Sequence, residues 1–206
     1  SMLMGELLNE ISISLYEGWN LITGLSEEVS IYSASDPGNI IVENTFYGFS
    51  EGYFITDTLV PGNGYWLRAF QNGAISFNSE NSQRINTKDY DLTDRANFLT
   101  INGMNLFFGI NIPSNDKIHY SLPPEPPLYT TDIRFSGDTK LCSQDICVIE
   151  IMSDKEILQF ECETKDGESW ELIDERGQEA LCSGVQLLKL NHFSETYILR
   201  KITSSG

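Results

Sequence analysis

The first 67 residues contain nine acidic side chains and not one Lys or Arg; the first cation is Arg68. Nucleic-acid binding is driven by cationic contacts that release counterions from phosphates, so this surface excludes it. Anionic membrane surfaces are disfavoured for the same reason. No apolar run reaches the length that crosses a bilayer, and Ser1-Met2-Leu3-Met4-Gly5 lacks the basic start and apolar middle of a signal peptide. Ser1-Met2 reads as a cloning scar, so the natural chain is expected to extend further at its start. There is no C-x-x-C, and the two histidines, His119 and His192, are not at ligand spacing, which argues against a zinc site. Phosphate-loop, dinucleotide and metalloprotease signatures are also missing.

Two near-matches to catalytic or metal motifs fail on context. Gly48-Phe49-Ser50-Glu51-Gly52 fits G-x-S-x-G, but the nucleophile elbow needs a strand before it and a helix after it. Here both flanks are aromatic and strand-like, so a hairpin turn is expected. Asp89, Asp91 and Asp94 resemble a calcium loop at a glance. Asp94 then stands where that loop needs Gly, and Thr100 where it needs a carboxylate, so a solvated linker is expected. Asp36-Pro37-Gly38-Asn39 reads as a turn. No enzyme and no obligatory cofactor is expected. Calcium is the one candidate ion, because the net charge of −17 offers many hard oxygen ligands, and its ligands stay unassigned.

What the chain does have is β signal nearly throughout, with short alternating or aromatic runs punctuated by Gly, Asn, Asp and Pro. Ile11–Leu15, Trp66–Phe70 and Ala74–Phe77 alternate, and Asn72-Gly73 predicts a hairpin between the last two. Asp166-Gly167 predicts another between Ile157–Thr164 and Ser169–Asp174, with final strands at Val185–Leu190 and Thr196–Lys201. The best helix candidate is Ser26–Ser35, with Ser26 as its cap. The polar, aperiodic stretch near 81–96 reads as a linker. Leu122-Pro123-Pro124-Glu125-Pro126-Pro127 reads as a polyproline II crossing. The expected architecture is all-β, in two tandem modules. The first is a small barrel or sandwich over 7–80. The second is an immunoglobulin- or fibronectin-like sandwich over 97–201, with an accessory hairpin at 97–121 formed by Phe98–Thr100 and Leu106–Ile112.

Cys142, Cys147, Cys162 and Cys182 are even in number and confined to the second module, which predicts disulfides and an extracellular setting. Three pairings are possible. Cys142–Cys147 closing a short turn, with Cys162–Cys182 in phase with the apolar faces, is preferred. Among the aromatics, Trp19 and Trp66 are expected in the core. Tyr47, Phe49 and Tyr53 flank the expected hairpin tip and form the candidate exposed set for stacking on pyranose rings.

Two motifs, Gly18-Trp19-Asn20-Leu21-Ile22 and Pro61-Gly62-Asn63-Gly64-Tyr65-Trp66-Leu67, bracket the first module. With them, residues 11–77 resemble a β-module found near the C-termini of secreted and surface proteins of Bacteroidetes-like and marine bacteria. Leu106-Phe107-Phe108-Gly109, Tyr120–Pro127 and Asp132-Ile133-Arg134-Phe135-Ser136-Gly137-Asp138 resemble the region that follows it there. The resemblance implies export to the cell surface or beyond, and an accessory, non-catalytic role as spacer and presenter of the parent protein. A type IX sorting domain commonly comes next in such proteins, and none is visible after Leu199-Arg200-Lys201. Partners are expected to be the rest of the parent chain and, on the alternative reading of a carbohydrate-binding module, a polysaccharide. A calcium-dependent adhesion module is the second alternative.

Overall fold

A computed structural model describes residues 10–78, 90–127, 130–165 and 167–203. The chain divides into two compact units, meeting in sequence between residues 89 and 90. Both are built from β-strands, and the all-β expectation holds. Among the described residues, helix is limited to two 3-10 segments, and no helix is long and apolar enough to cross a membrane.

The first unit holds β1 (Glu10–Leu15), β2 (Gly18–Thr23), β3 (Val29–Ser30), β4 (Tyr47–Phe49), β5 (Tyr53–Ile55), β6 (Thr58–Leu59), β7 (Gly64–Ala69) and β8 (Gly73–Asn78). They form three small sheets, β1-β8, β2-β7-β4-β5 and β3-β6, with no closed barrel. Leu15, Ile22, Leu25, Phe46, Leu59, Tyr65, Leu67, Ile75 and Phe77 meet in one buried cluster.

The opening motif makes the corner between β1 and β2. Gly18 sits at φ +92°, where a Cβ would be strained. The Asn20 amide closes the corner: its Oδ1 accepts from Tyr16 N at 2.9 Å and its Nδ2 donates to Tyr16 O at 2.8 Å. The closing motif begins as a type II turn, with Pro61 second and Gly62 third at φ +83°. Tyr65 Oη then accepts from Val60 N at 2.7 Å.

Two expectations for this unit need correction. Ser26–Ser35 is not a helix: Val29–Ser30 is a strand and only Ile31–Ser33 turns, as a 3-10 segment. Its β-branched and polar content loses to sheet pairing. Asn72-Gly73 does not join a hairpin, because β7 pairs with β2 and β8 pairs with β1. The turn carries the chain from one sheet to the other. Asn72 Oδ1 accepts from Glu17 N at 2.8 Å, which fastens this turn to the β1–β2 corner.

The second unit holds β9 (Asn97–Ile101), β10 (Met104–Phe108), β11 (Asp132–Phe135), β12 (Leu141–Cys142), β13 (Ile146–Met152), β14 (Ile157–Glu163), β15 (Trp170–Ile173), β16 (Glu179–Leu181), β17 (Gly184–Lys189) and β18 (Ser194–Lys201). Two five-stranded sheets, β12-β10-β9-β14-β17 and β11-β13-β18-β15-β16, make a sandwich. Alternating residues of both sheets, among them Leu99, Phe108, Ile149, Phe160, Trp170 and Leu199, fill one core. The expected pairs Cys142–Cys147 and Cys162–Cys182 both form. Each joins one sheet to the other.

Three corrections apply here. The hairpin expected as an accessory is integral, since β9 pairs with both β10 and β14 and supplies buried Leu99 and Ile101. Asn102 (φ +50°) and Gly103 (φ +81°) make its tight turn. Strand β14 does not pair with β15 across Asp166-Gly167; the two lie in opposite sheets, and Asp166 itself lies outside the described residues. Of the expected linker 81–96, residues 81–89 lie outside the described residues, while Tyr90, Leu92 and Ala96 are buried with Phe107, Ile112, Tyr120 and Leu141.

The motifs of the second half are structural. Arg134 is 1% exposed and Asp132 4%. The guanidinium holds Asp132 with two hydrogen bonds, Nη2 donating to Oδ1 at 2.9 Å. Its Nη1 donates to Pro123 O at 2.9 Å and to Asp138 Oδ1 at 2.7 Å. One buried arginine thereby ties the proline-rich segment to the Asp132–Asp138 hairpin. Desolvation would lower its pKa, but the bonds to Asp132 and Asp138 outweigh that and raise it. Gly109 closes Leu106-Phe107-Phe108-Gly109 at φ +70°, and a Cβ there would collide with the Asn97 amide.

Candidate functional site

The sheet β2-β7-β4-β5 turns one face into the buried cluster of the unit. In β7 the strict alternation of Tyr65, Leu67 and Ala69 points those three into the core, so Trp66 and Arg68 face the other way. Antiparallel pairing then fixes their neighbours. Trp19 lies opposite Arg68, Leu21 and Tyr47 opposite Trp66, and Ile55 opposite Tyr47. Leu21, Trp66, Tyr47 and Ile55 therefore form one row across all four strands, on the outer face. Phe49 and Tyr53 pair beside it at the tip of the β4–β5 hairpin.

The rings interlock edge to face. Trp19 meets Tyr47 at 6.0 Å between centroids, Tyr47 meets Tyr53 at 6.2 Å, and Tyr53 meets Phe49 at 5.4 Å. Such contacts add about 0.5–1.5 kcal/mol per pair beyond area burial and fix the ring orientations. The Arg68 guanidinium lies 5.7 Å from the Trp19 ring centre. At the margins the surface is open: Leu21 is 67% exposed, Ile55 48% and Phe49 42%. The result is an aromatic and aliphatic surface with a buried tyrosine floor and a single cation.

This geometry revises the expected site. Of Tyr47, Phe49 and Tyr53, only Phe49 is exposed; Tyr47 is 1% exposed and Tyr53 9%. The Tyr47 ring packs edge-on against both Trp19 and Tyr53. Trp19 and Trp66, expected in the core, are half-buried on the outer face instead. The phase of the alternation carried that signal. A strand that puts Arg68 toward solvent also puts Trp66 there, and Trp19 follows from its pairing. Leu21, Ile55 and Arg68 were not singled out from the sequence.

Ser50 sits at the exposed tip of the β4–β5 hairpin, with Ser50 N bonded to Gly52 O at 3.1 Å. Gly48 leaves room for the ring of Phe54, which lies against it. The G-x-S-x-G spacing thus serves a turn, as expected. His119 and His192 belong to the second unit, where His119 stacks on Tyr90 at 4.6 Å and the His192 amide donates to Glu195.

The carboxylates considered for calcium have local work. Asp36 accepts from Ile40 N at 3.0 Å and Ile41 N at 2.9 Å, closing the expected turn, and Asp91 accepts from Thr93 N at 2.9 Å. Asp89 lies outside the described residues. Among the described residues, no three His, Cys, Asp or Glu side chains converge as a metal site.

In the second unit, Glu168, Glu195, Lys140 and Tyr197 have shifted pKa values. Burial would raise the Glu168 pKa, but bonds from Lys201, Trp170 and Asn97 outweigh it and lower it. Glu195 behaves alike, with burial outweighed by bonds from Tyr197 and the Asn191 and His192 amides. Burial lowers the Lys140 pKa to about 8. Burial and the Glu195 carboxylate raise that of Tyr197.

No family model matches the chain, and neither a curated protein nor a solved structure matches it.

Proposed function

We propose that this chain is a non-catalytic accessory region of an exported bacterial protein, and that its first unit is a carbohydrate-binding module. The observation that carries the reading is the outer face of β2-β7-β4-β5. Half-buried Trp19 and Trp66 and exposed Phe49 share one surface, held in place by edge-to-face packing and strand pairing. Rigid aromatic faces pack on the C–H faces of pyranose rings at little entropic cost, because the rings are ordered before the ligand arrives. An exposed apolar surface on a folded unit supports a binding role.

The second unit supports the presenting role. It is a sandwich with both disulfides linking its two sheets, which suits a spacer outside the cell. Its likeness to immunoglobulin or fibronectin modules, and the resemblance to C-terminal regions of bacterial surface proteins, belong to this reading.

The test is a glycan panel assayed by thermal shift and affinity gel electrophoresis, with Trp66→Ala as control. Saturable retention by one polysaccharide, lost in the folded variant, is the expected result. Retention on none by folded wild-type protein would remove the carbohydrate reading.

A further inference from the structure

We propose that Arg68 makes this surface selective for sugars that carry a carboxylate, that is, uronic-acid residues; the proposal rests on the carbohydrate reading above. Residues 10–78 contain eight acidic side chains and one cation, Arg68. In so acidic a unit a surface arginine has many potential partners of its own, yet none of the described carboxylates forms an ion pair with it. The guanidinium instead lies over the Trp19 ring, and its Nε is buried without a hydrogen-bond acceptor among the described residues. A charged donor held in this way lacks an anion.

The placement identifies the anion. Trp66 and Arg68 are two residues apart on one strand face, about 7 Å along the strand. That is the reach of one pyranose ring with its exocyclic group. A ring stacked at Trp66 would bring a carboxylate at its edge to the guanidinium. The planar fork of arginine matches the planar carboxylate, and the contact is strengthened by the apolar rings around it. The acidic surface elsewhere provides no general positive field to draw in a polyanion. Recognition is therefore local, one carboxylate at one arginine, and survives physiological salt, which screens the more distant carboxylates.

The experiment is calorimetric titration of the whole chain with oligogalacturonate, oligoguluronate and oligoglucuronate. Each is compared with the same oligosaccharide after its carboxyl groups are reduced to alcohols. At least one uronan should bind ten times or more tighter than its reduced form. Arg68→Gln should abolish that difference while still binding the reduced form. Because the key contrast is made on unaltered protein, it does not depend on how the variant folds. Equal affinity for native and reduced glycans would overturn the inference and leave the carbohydrate reading standing. Equally tight binding of a sulfated neutral glycan would overturn the assignment to carboxylate. Binding of no glycan by folded protein would overturn both.

Discussion

Replacing Arg134 with Met should be among the most damaging single changes in the second unit. The side chain is 1% exposed and satisfies Asp132, itself 4% exposed, together with the Pro123 carbonyl. Met fills similar volume, so the loss is electrostatic and not a cavity. Asp132 would remain buried without its cation, which costs about 3–5 kcal/mol. A domain of this size has about 5–15 kcal/mol in total. With a urea slope of about 2 kcal/mol per molar, the midpoint should fall by roughly 2 M. Urea titration followed by the fluorescence of buried Trp170 reads this out. Asp138 is the internal comparison. It binds the same guanidinium but is 60% exposed, so Asp138→Asn should cost less than about 1 kcal/mol. A midpoint shift for Arg134→Met as small as that for Asp138→Asn would refute the reasoning. It would mean that the buried pair is no more than a surface contact.

Three further outcomes follow from the second unit. Glu168 and Glu195 have folded pKa values below the ordinary 4.5, so their stabilisation is complete above that pH and is lost as pH falls through the folded values. Thermal melts should weaken below about pH 4.5, and Glu195→Gln should flatten part of that slope. Lys140 has the opposite sense. Its folded pKa of about 8 lies below the ordinary 10.5, so the folded state gives up its proton first and stability rises between those values. Lys140→Met should remove that rise, measured by urea titration across pH. Cys162→Ala/Cys182→Ala should cost about 3 kcal/mol by release of the unfolded chain, seen as a lower melting temperature that reductant lowers less than it lowers the wild type's, since only Cys142–Cys147 is left to reduce.

Much of this fold was legible in the sequence. Period-two alternation located Ile11–Leu15, Ala74–Phe77 and the late strands, and of three possible pairings the preferred one, Cys142–Cys147 across a short turn and Cys162–Cys182 by apolar phase, is the one that forms. What local pattern could not supply was partner choice. Asn72-Gly73 has hairpin chemistry, yet β7 leaves for β2 and β8 for β1, because the β1–β2 corner bends at the same place and is fastened to it through Asn72. Tyr90–Ala96 reads as linker because Asp91, Thr93, Asp94 and Arg95 interrupt its apolar residues without a strand or helix period. Tyr90, Leu92 and Ala96 are nevertheless buried, and only the chain's long-range packing reveals it. At the candidate site the aromatic content was visible but its orientation was misread. Tyr47 and Tyr53 flank a hairpin tip, where exposure is the usual expectation, but the Tyr47 ring packs against both Trp19 and Tyr53. Trp66 looked apolar enough for the core, while Arg68 two residues on already placed that face outside.

The central claim is that the outer face of the first unit binds sugar, and binding to a glycan panel by wild-type protein and Trp66→Ala tests it most directly. Loss of a tryptophan platform should weaken a retained glycan at least tenfold while the melting temperature without ligand changes little, since Trp66 lies outside the core cluster. Unchanged affinity in the folded variant, or no retained glycan for the wild type, would contradict the account.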